Sequence, residues 1–425
     1  MPQPDRLRIA YLTYRGHPFT GGQGVYTRHI SRQLKALGHH VEVFSGPPYP
    51  PVDDDIVLTK LPSLDLYRSP DPFRTPRLRE FTDRYDVLEY ALTATASFAE
   101  PLTFSLRAHR RLIARRGEFD VVHDNQCLGY GIDRLRRAGM PVMATIHHPI
   151  TVDRRVEVDH APTWRKRLAL RRFYAFTRMQ ARVARRLERI VTVSASSRDD
   201  IVADMGVAAS RVHVVNVGVD TDRFRPLDDV VPVRGRVMTT ASADVAMKGL
   251  VFLLEAVAKL RTADPDVHLV VVGRQTDGSA AARRVAELGL DGCVEFVSGV
   301  SDERLAEMYG EAEVAVVPSL YEGFSLPAAE AMACGRPLVA TTGGALPEVT
   351  GPDGESCLAV PPGDADALAA AIGRVLEQPD LRAALGTAAR RRVRERFTWR
   401  QSAAATADHY RALLASTDGV AAERC

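Results

Sequence analysis

Short apolar runs separated by spans of helical spacing recur along nearly all of the 425 residues, and they come in two series. The first series is Arg8-Ile-Ala-Tyr-Leu-Thr13, His40-Val-Glu-Val-Phe44, Phe119-Asp-Val-Val-His-Asp124, Pro141-Val-Met-Ala-Thr-Ile-His147 and Arg189-Ile-Val-Thr-Val-Ser194. The second is Arg236-Val-Met-Thr-Thr-Ala241, Val267-His-Leu-Val-Val-Val-Gly273, Val294-Glu-Phe-Val297, Val314-Ala-Val-Val-Pro318 and Pro337-Leu-Val-Ala-Thr341. A strand buried on both faces reads as a near-continuous apolar run, and buried strands alternating with helices close into parallel sheets through right-handed crossovers. Two such series predict an α/β chain of two doubly wound, Rossmann-like domains with a cleft between them.

Composition narrows the function. With 56 basic against 53 acidic residues the formal charge is only +3, so nothing global points to nucleic acid. The five cysteines, Cys127, Cys293, Cys334, Cys357 and Cys425, stand far apart in an odd number, which fits reduced thiols in a cytoplasm and neither a zinc site nor a disulfide framework. The N-terminus enters a strand without the apolar core of a signal peptide, and no apolar run approaches the ~18 residues of a membrane span. The expectation is a cytoplasmic protein, soluble or peripheral at the inner face of a membrane. Oligomeric state is not legible.

Several local features carry chemistry. The loop from Gly16 to Gly24 joins the first strand to a helical pattern, Val25 to Gly38, and lets backbone approach a ligand. Its Gly21-Gly-Gln-Gly24 is not the Gly-x-Gly-x-x-Gly dinucleotide fingerprint. Asp53-Asp-Asp55 follows Gly46-Pro-Pro-Tyr-Pro-Pro51 in what reads as a solvated loop, a poor place for a metal-binding Asp-x-Asp. His123, His147 and His148 stand at strand ends, where open α/β sheets bind ligands, and no spaced carboxylate joins them as a metal set. Residues 153–189 hold 12 Arg and Lys against four acids, interleaved with Trp164, Phe173, Tyr174 and Phe176. That composition over 154–189 suits an anionic membrane surface or a phosphorylated acceptor, and equally a solvated helix face.

The most informative stretch runs from Ser319 to Glu348. It follows the buried run Val314–Pro318, and Pro327-Ala-Ala-Glu-Ala-Met-Ala-Cys334 has helical composition with proline in the first turn. A loop-to-helix junction there converges free amides and the positive end of a helix dipole, which attracts an anion. Glu322 and Glu330 flank the junction. Eight helical positions would separate them by about 12 Å, farther than the roughly 5–9.5 Å of a glycosidase carboxylate pair. Two hydroxyl-bearing rings bracketing a phosphate fit better, and a nucleotide sugar has that shape.

Glu322-Gly-Phe-Ser-Leu-Pro-Ala-Ala-Glu330, followed by Cys334-Gly-Arg-Pro-Leu-Val-Ala340 and Gly343-Gly-Ala-Leu-Pro-Glu348, resembles the Glu-x7-Glu signature of retaining glycosyltransferases of the GT-B fold, the family 4 (group 1) type. Asn216-Val-Gly-Val-Asp220 resembles their hinge, and the alanine-rich segment after Phe397-Thr-Trp399 resembles the terminal helix that crosses back to the first domain, leaving a loose tail after about Ser416. The implied domains are 1–217 on the acceptor side, 218–397 for the nucleotide sugar, and 398–425 as the returning segment.

The resemblance implies roles residue by residue. Lys248 would meet the donor diphosphate as a compact charge, helped by amides near Ser325 and Leu326. Glu322, with the main chain of Gly323, Phe324 and Ser325, would hold the donor sugar, and Glu330 the ribose hydroxyls. His147 would contact the transferred sugar. Gly22 would lie at the donor, with Gly24 and His148 on the acceptor side. Catalysis would rest on Glu322, His147 and Lys248, without metal or cofactor. One departure stands out: the arginine that family members carry five or six residues before the lysine is replaced by Ser242 and Ala243, and Arg274 is the candidate to take its place. The reaction implied is transfer of a hexosyl unit from a nucleotide-diphosphate sugar to an acceptor hydroxyl on a glycan, lipid or small molecule. A glycosyl phosphorylase or sugar-nucleotide epimerase on the same fold, and a non-catalytic nucleotide-sugar or glycan binder, stay open, as do the donor base, sugar and acceptor.

Overall fold

The structure is a computed structural model that describes residues 6–16, 22–68, 71–159, 161, 163–241, 245–275 and 278–422. The chain separates into two compact units, residues 1–215 with 402–425 and residues 216–401. Each is built around one parallel sheet.

The first unit contains β1 (Arg8–Thr13), β2 (His40–Ser45), β3 (Val57–Lys60), β4 (Val121–Asn125), β5 (Val142–Ile146), β6 (Arg189–Thr192) and β7 (Val212–Val214), in the spatial order β3-β2-β1-β4-β5-β6-β7. All neighbours are parallel, with Ile9 opposite both Val41 and Val121. Five of the six residues of β1 and all of β4 and β5 are buried, the outcome expected for strands covered by helices on both faces. The second unit contains β8 (Arg236–Thr240), β9 (His268–Val272), β10 (Val294–Val297), β11 (Val314–Val317), β12 (Leu338–Thr341) and β13 (Leu358–Val360), in the order β10-β9-β8-β11-β12-β13. Both sheets begin 3-2-1-4-5-6. The order therefore reverses between β1 and β4 in one and between β8 and β11 in the other, and the crevice beyond the carboxyl ends of those strands is where such sheets bind ligands.

Past the acidic triplet, β3 adds a partly exposed edge strand to β2 that the sequence did not announce. The C-terminal helix Trp399–Ala422 continues past Ser416, where the sequence suggested a loose tail. Within the first unit its Tyr410 and His409 reach His123 and Arg189.

Local backbone chemistry fixes the loops at the reversal point of the second unit. The turn Ala246–Lys248 after β8 ends on Gly249 at φ 65°, and a Cβ there would lie 2.0 Å from the Pro318 carbonyl oxygen at the end of β11. Only glycine combines that left-handed conformation with so close an approach. The Leu320 amide then donates to the Met247 carbonyl at 2.8 Å, joining the two loops. Gly249→Ala is expected to destabilise the second unit by at least about 1–2 kcal/mol from the backbone conformation alone and to move Lys248. A lower midpoint in thermal denaturation together with weakened nucleotide binding checks this; an unchanged midpoint contradicts it.

Candidate functional site

In the second unit, Lys248 comes from the turn after β8 and Glu322 from the loop after β11, so the two stand on either side of the reversal point. Lys248 Nζ lies 2.7 Å from Glu322 Oε1, and Ser319 Oγ donates to the same oxygen at 2.7 Å. Glu322 is buried while Lys248 is half-exposed. The glutamate loop is itself pinned: Ala345 N donates to Glu322 O at 2.8 Å, and Gly344, at φ 62°, passes so close that a Cβ would sit 2.4 Å from that oxygen. This explains why the Gly343-Gly344 pair belongs to the same motif as Glu322.

Ser325 is the N-cap of the helix Leu326–Ala333, at φ 86° and ψ 83°, and its hydroxyl accepts from the Ala328 amide at 3.4 Å. A non-glycine residue in that region is strained and is retained where the surroundings hold it. Here that residue makes the turn from the loop after β11 into the helix. Phe324 is buried with its ring edge-to-face on Phe397 at 5.5 Å, which leaves its main chain as the part able to meet a ligand. Glu330, one turn into the helix, lies beside the buried Tyr309, whose hydroxyl also contacts Thr240 Oγ1 at 3.0 Å. Burial lifts the Glu330 carboxyl to about 7, the charge of Asp302 adds to the rise, and the Tyr309 hydroxyl opposes it. Arg274 is exposed immediately after β9 and forms no ion pair among the described residues. Ser242 and Ala243, the positions of the replaced arginine, lie outside the described residues, as does Asp244.

In the first unit, Gly22, at φ 70°, is the N-cap of the helix Gln23–Ala36, which carries Gly24 buried in its first turn. The rest of the glycine loop, 17–21, lies outside the described residues. His147, half-buried just past β5, has its Nε2 2.7 Å from Asn125 Oδ1 and its ring edge-to-face on Tyr26 at 4.5 Å. An amide oxygen only accepts, so Nε2 carries the proton and Nδ1 is an acceptor. Burial lowers the imidazole to about 4, so it is neutral at neutral pH. Gln126 clamps the neighbouring main chain, accepting from His147 N at 2.8 Å and donating to His148 O at 2.6 Å. His148 is half-buried beside it.

Sequence reasoning missed Asn125 and Gln126. Their signal is two amides at the end of an otherwise apolar strand on the reversal point, with Gln126 at φ 61°. His123 is a correction. Rather than facing a crevice it is wholly buried, with Nε2 2.7 Å from Thr145 Oγ1 and Nδ1 against the Tyr410 hydroxyl, and burial drives its pKa to about 3. Of the acidic triplet, Asp53 accepts from Arg32 at 2.6 Å and Asp55 pairs with Lys35 at 2.6 Å, so two of its carboxylates are committed to the helix Gln23–Ala36. In the basic stretch, the helix Trp164–Phe173 exposes Trp164, Leu168 and the cations between them, whereas Tyr174 and Phe176 are buried in the first unit's core.

Comparison with known proteins accounts for this arrangement. The family model for glycosyl transferases group 1 matches residues 230–392, and that for Glycosyltransferase Family 4 matches 20–223. Over 410 residues the chain is 52% identical to the MMP alpha-(1->4)-mannosyltransferase of Mycolicibacterium hassiacum, covering 96% of this chain and 99% of that protein. It is 28% identical over 448 residues to the D-inositol 3-phosphate glycosyltransferase of Saccharomonospora viridis, covering 98% and 96%. Among solved structures, sucrose-phosphate synthase from Thermosynechococcus elongatus superposes with a TM-score of 0.72 at 25% identity, covering 97% of this chain and all of that one. Anabaena HepE in complex with UDP and glucose shares the fold, at a TM-score of 0.68 and 18% identity over 95% and 99%.

The lifted Glu330 carboxyl has a checkable consequence. Its neutral form is the one folding favours, so its contribution to stability is complete below its ordinary 4.5 and is lost as the pH rises through about 7. Thermal midpoints of ligand-free protein are expected to fall more between about pH 5 and pH 8 than those of Glu330→Gln, whose amide does not titrate. Parallel pH profiles for the two proteins would show the assignment to be wrong.

Proposed function

The chain belongs to glycosyltransferase family 4, with the GT-B fold, and from that premise we propose that this glycosyltransferase moves a mannosyl unit from a nucleotide-diphosphate sugar to a glycan hydroxyl in an α-(1→4) linkage, with retention and without a metal. The observation that carries the reading is the Lys248–Glu322–Ser319 cluster at the reversal point, with Glu330 eight residues on. The choice of mannose and of an α-(1→4) linkage is supported by the 52% identity to a mannosyltransferase of that description over nearly the full length of both chains.

The chemistry follows from charge. The bond between the anomeric carbon and the β-phosphate oxygen breaks, a bond from that carbon to the acceptor oxygen forms, and the acceptor proton goes to the departing diphosphate. Negative charge grows on the phosphate, so fixed positive groups there lower the barrier. Lys248 and the amides at the start of Leu326–Ala333 would supply them, with Arg274 as a further cation at the end of the neighbouring strand. Glu322 and the main chain of Gly323, Phe324 and Ser325 would accept and donate hydrogen bonds to the sugar, and Glu330 would accept from the ribose. His147, neutral and held by Asn125, would offer Nδ1 to a sugar hydroxyl. Gly22 would lie with the donor, and Gly24 and His148 with the acceptor.

Incubation with GDP-, UDP- or ADP-mannose and an α-(1→4)-linked oligomannoside is expected to release nucleotide diphosphate only when acceptor is present, in EDTA as in buffer, and to yield an α-linked product by NMR. Glu322→Gln and Lys248→Ala are each expected to lower kcat by about 10²–10³. Cleavage that requires phosphate instead of acceptor would identify a phosphorylase. Turnover unchanged in both variants would remove the site.

The exposed Trp164 and Leu168, one helical turn apart among Arg165, Lys166, Arg167, Arg171 and Arg172, support a contact with anionic lipid. Vesicles containing phosphatidylserine are expected to retain the protein in flotation, and replacing Arg165, Arg167, Arg171 and Arg172 by glutamine to release it. Equal retention of both proteins, or of neither, argues for a solvated face.

A further inference from the structure

On the second unit, away from the loops of Lys248 and Glu322 in the chain, the helix Pro379–Arg396 lies across the far end of the helix Leu326–Ala333. Their backbones meet at glycines: a Cβ on Gly386 would lie 2.2 Å from the Gly335 carbonyl oxygen. That close approach leaves a groove of about 680 Å³ with Gly335, Gly386, Ala383 and Pro226 among its walls and Arg390, Arg391 and Arg394 along one side. The volume is that of a small-molecule site.

The groove gathers three arginines, and two of them are not spent on carboxylates as several others of this unit are. Arg223, Arg284, Arg304 and Arg382 all sit within 4 Å of a carboxylate. Among the described residues Arg391 and Arg394 have no such partner, although Glu395 also lines the groove. Arg390 spends one nitrogen on the Ala333 carbonyl at 2.5 Å, at the negative end of the helix that carries Glu330. Its pKa is held down by burial first and then by the charges of Arg394 and Arg225. Gathering like charges around a concave, partly apolar surface raises the energy of the empty groove, and an anion placed there relieves it. Guanidinium forks suit a phosphate, which they bind bidentately, and Thr387 beside them adds a hydroxyl partner.

We propose that this groove binds a small phosphate monoester that also carries hydroxyl groups, such as a hexose phosphate, at a site separate from Lys248 and Glu322. The phosphate would sit on Arg391 and Arg394, with the sugar ring over Ala383 and Gly386. Occupancy would draw on Arg390, and through the Ala333 carbonyl would touch the same helix whose first turn faces the donor.

The test is calorimetric titration of the full chain with a hexose 6-phosphate and with inorganic phosphate, using wild type, the double variant Arg391→Gln/Arg394→Gln, and Lys248→Ala. Both groove arginines are exposed, so circular dichroism and the ligand-free melting midpoint of the double variant are expected to match wild type. The hexose phosphate is expected to bind wild type and Lys248→Ala alike, more tightly than inorganic phosphate, and the double variant at least about tenfold more weakly. Loss of binding in Lys248→Ala with retention in the double variant would place the ligand at the donor site and overturn the proposal. So would binding in all three proteins only at or above about 10 mM, the behaviour of an adventitious ion only.

Discussion

The contact on which the second unit's site depends is the 2.7 Å ion pair between Lys248 and Glu322. A lone carboxylate as buried as Glu322 would be costly, and a lone lysine on a short turn would be disordered by its own flexibility; each supplies what the other requires. The pair exists because two loops from strands flanking the sheet's reversal point are stitched at the backbone, through Gly249 against Pro318, Leu320 to Met247, and Gly344 against Glu322. Three of the sequence's motif fragments are thus one object. The glycines carry no chemistry of their own, but a side chain on either would separate the charged groups.

The first unit solves a different problem, which is to present polar groups at strand ends without charging them. Asn125 receives the Nε2 proton of His147, Gln126 holds the main chain on both sides of it, and Tyr26 closes one face of the ring. Burial lowers the imidazole to about 4 and lifts Asp124 to about 7. Neutral, oriented hydrogen-bonding groups suit recognition of a sugar's hydroxyls, which an imidazolium would instead repel from its acceptor role.

How much of this was legible in the sequence depends on whether a residue's neighbours are local or distant. Strands in the middle of each sheet were readable because burial on both faces demands continuous apolar runs, and Val121–Asn125, Val142–Ile146 and Val314–Val317 show it. The strands that escaped, Val57–Lys60, Val212–Val214 and Leu358–Val360, are all edge strands, short and paired on one side only, so their composition is not constrained in that way. Glu322 and Glu330 were legible because their spacing and helix start are local. The buried charges of Arg107 with Asp86 and Glu89 were not, because a helix pattern assigns charged residues to solvent and cannot show a partner 18 or 21 positions away. His123 failed for the same reason: its partners, Thr145 and Tyr410, are 22 and 287 positions distant.

The ion pair also bears on the missing arginine. In the ligand-free protein the charge of Lys248 is already balanced by Glu322, so a diphosphate arriving alone meets little more than the roughly half charge of a helix start. For Lys248 to turn to the phosphate, Glu322 must find other donors, and on the proposed reading the hydroxyls of the donor sugar are those donors. Phosphate binding and sugar binding then become one event: the sugar releases the lysine that the phosphate requires. A second cation in the position of Ser242 or Ala243 would weaken that dependence by holding the diphosphate regardless of the sugar. Arg274, exposed at the end of the strand beside β8, would restore part of the charge without sharing Glu322. An enzyme that transfers the sugar gains from this arrangement, because the intact donor satisfies Glu322 and the spent nucleotide diphosphate does not. On that reading, once the sugar had left, the carboxylate would compete again for Lys248, and the same 2.7 Å contact that organises the empty site would favour release of the product.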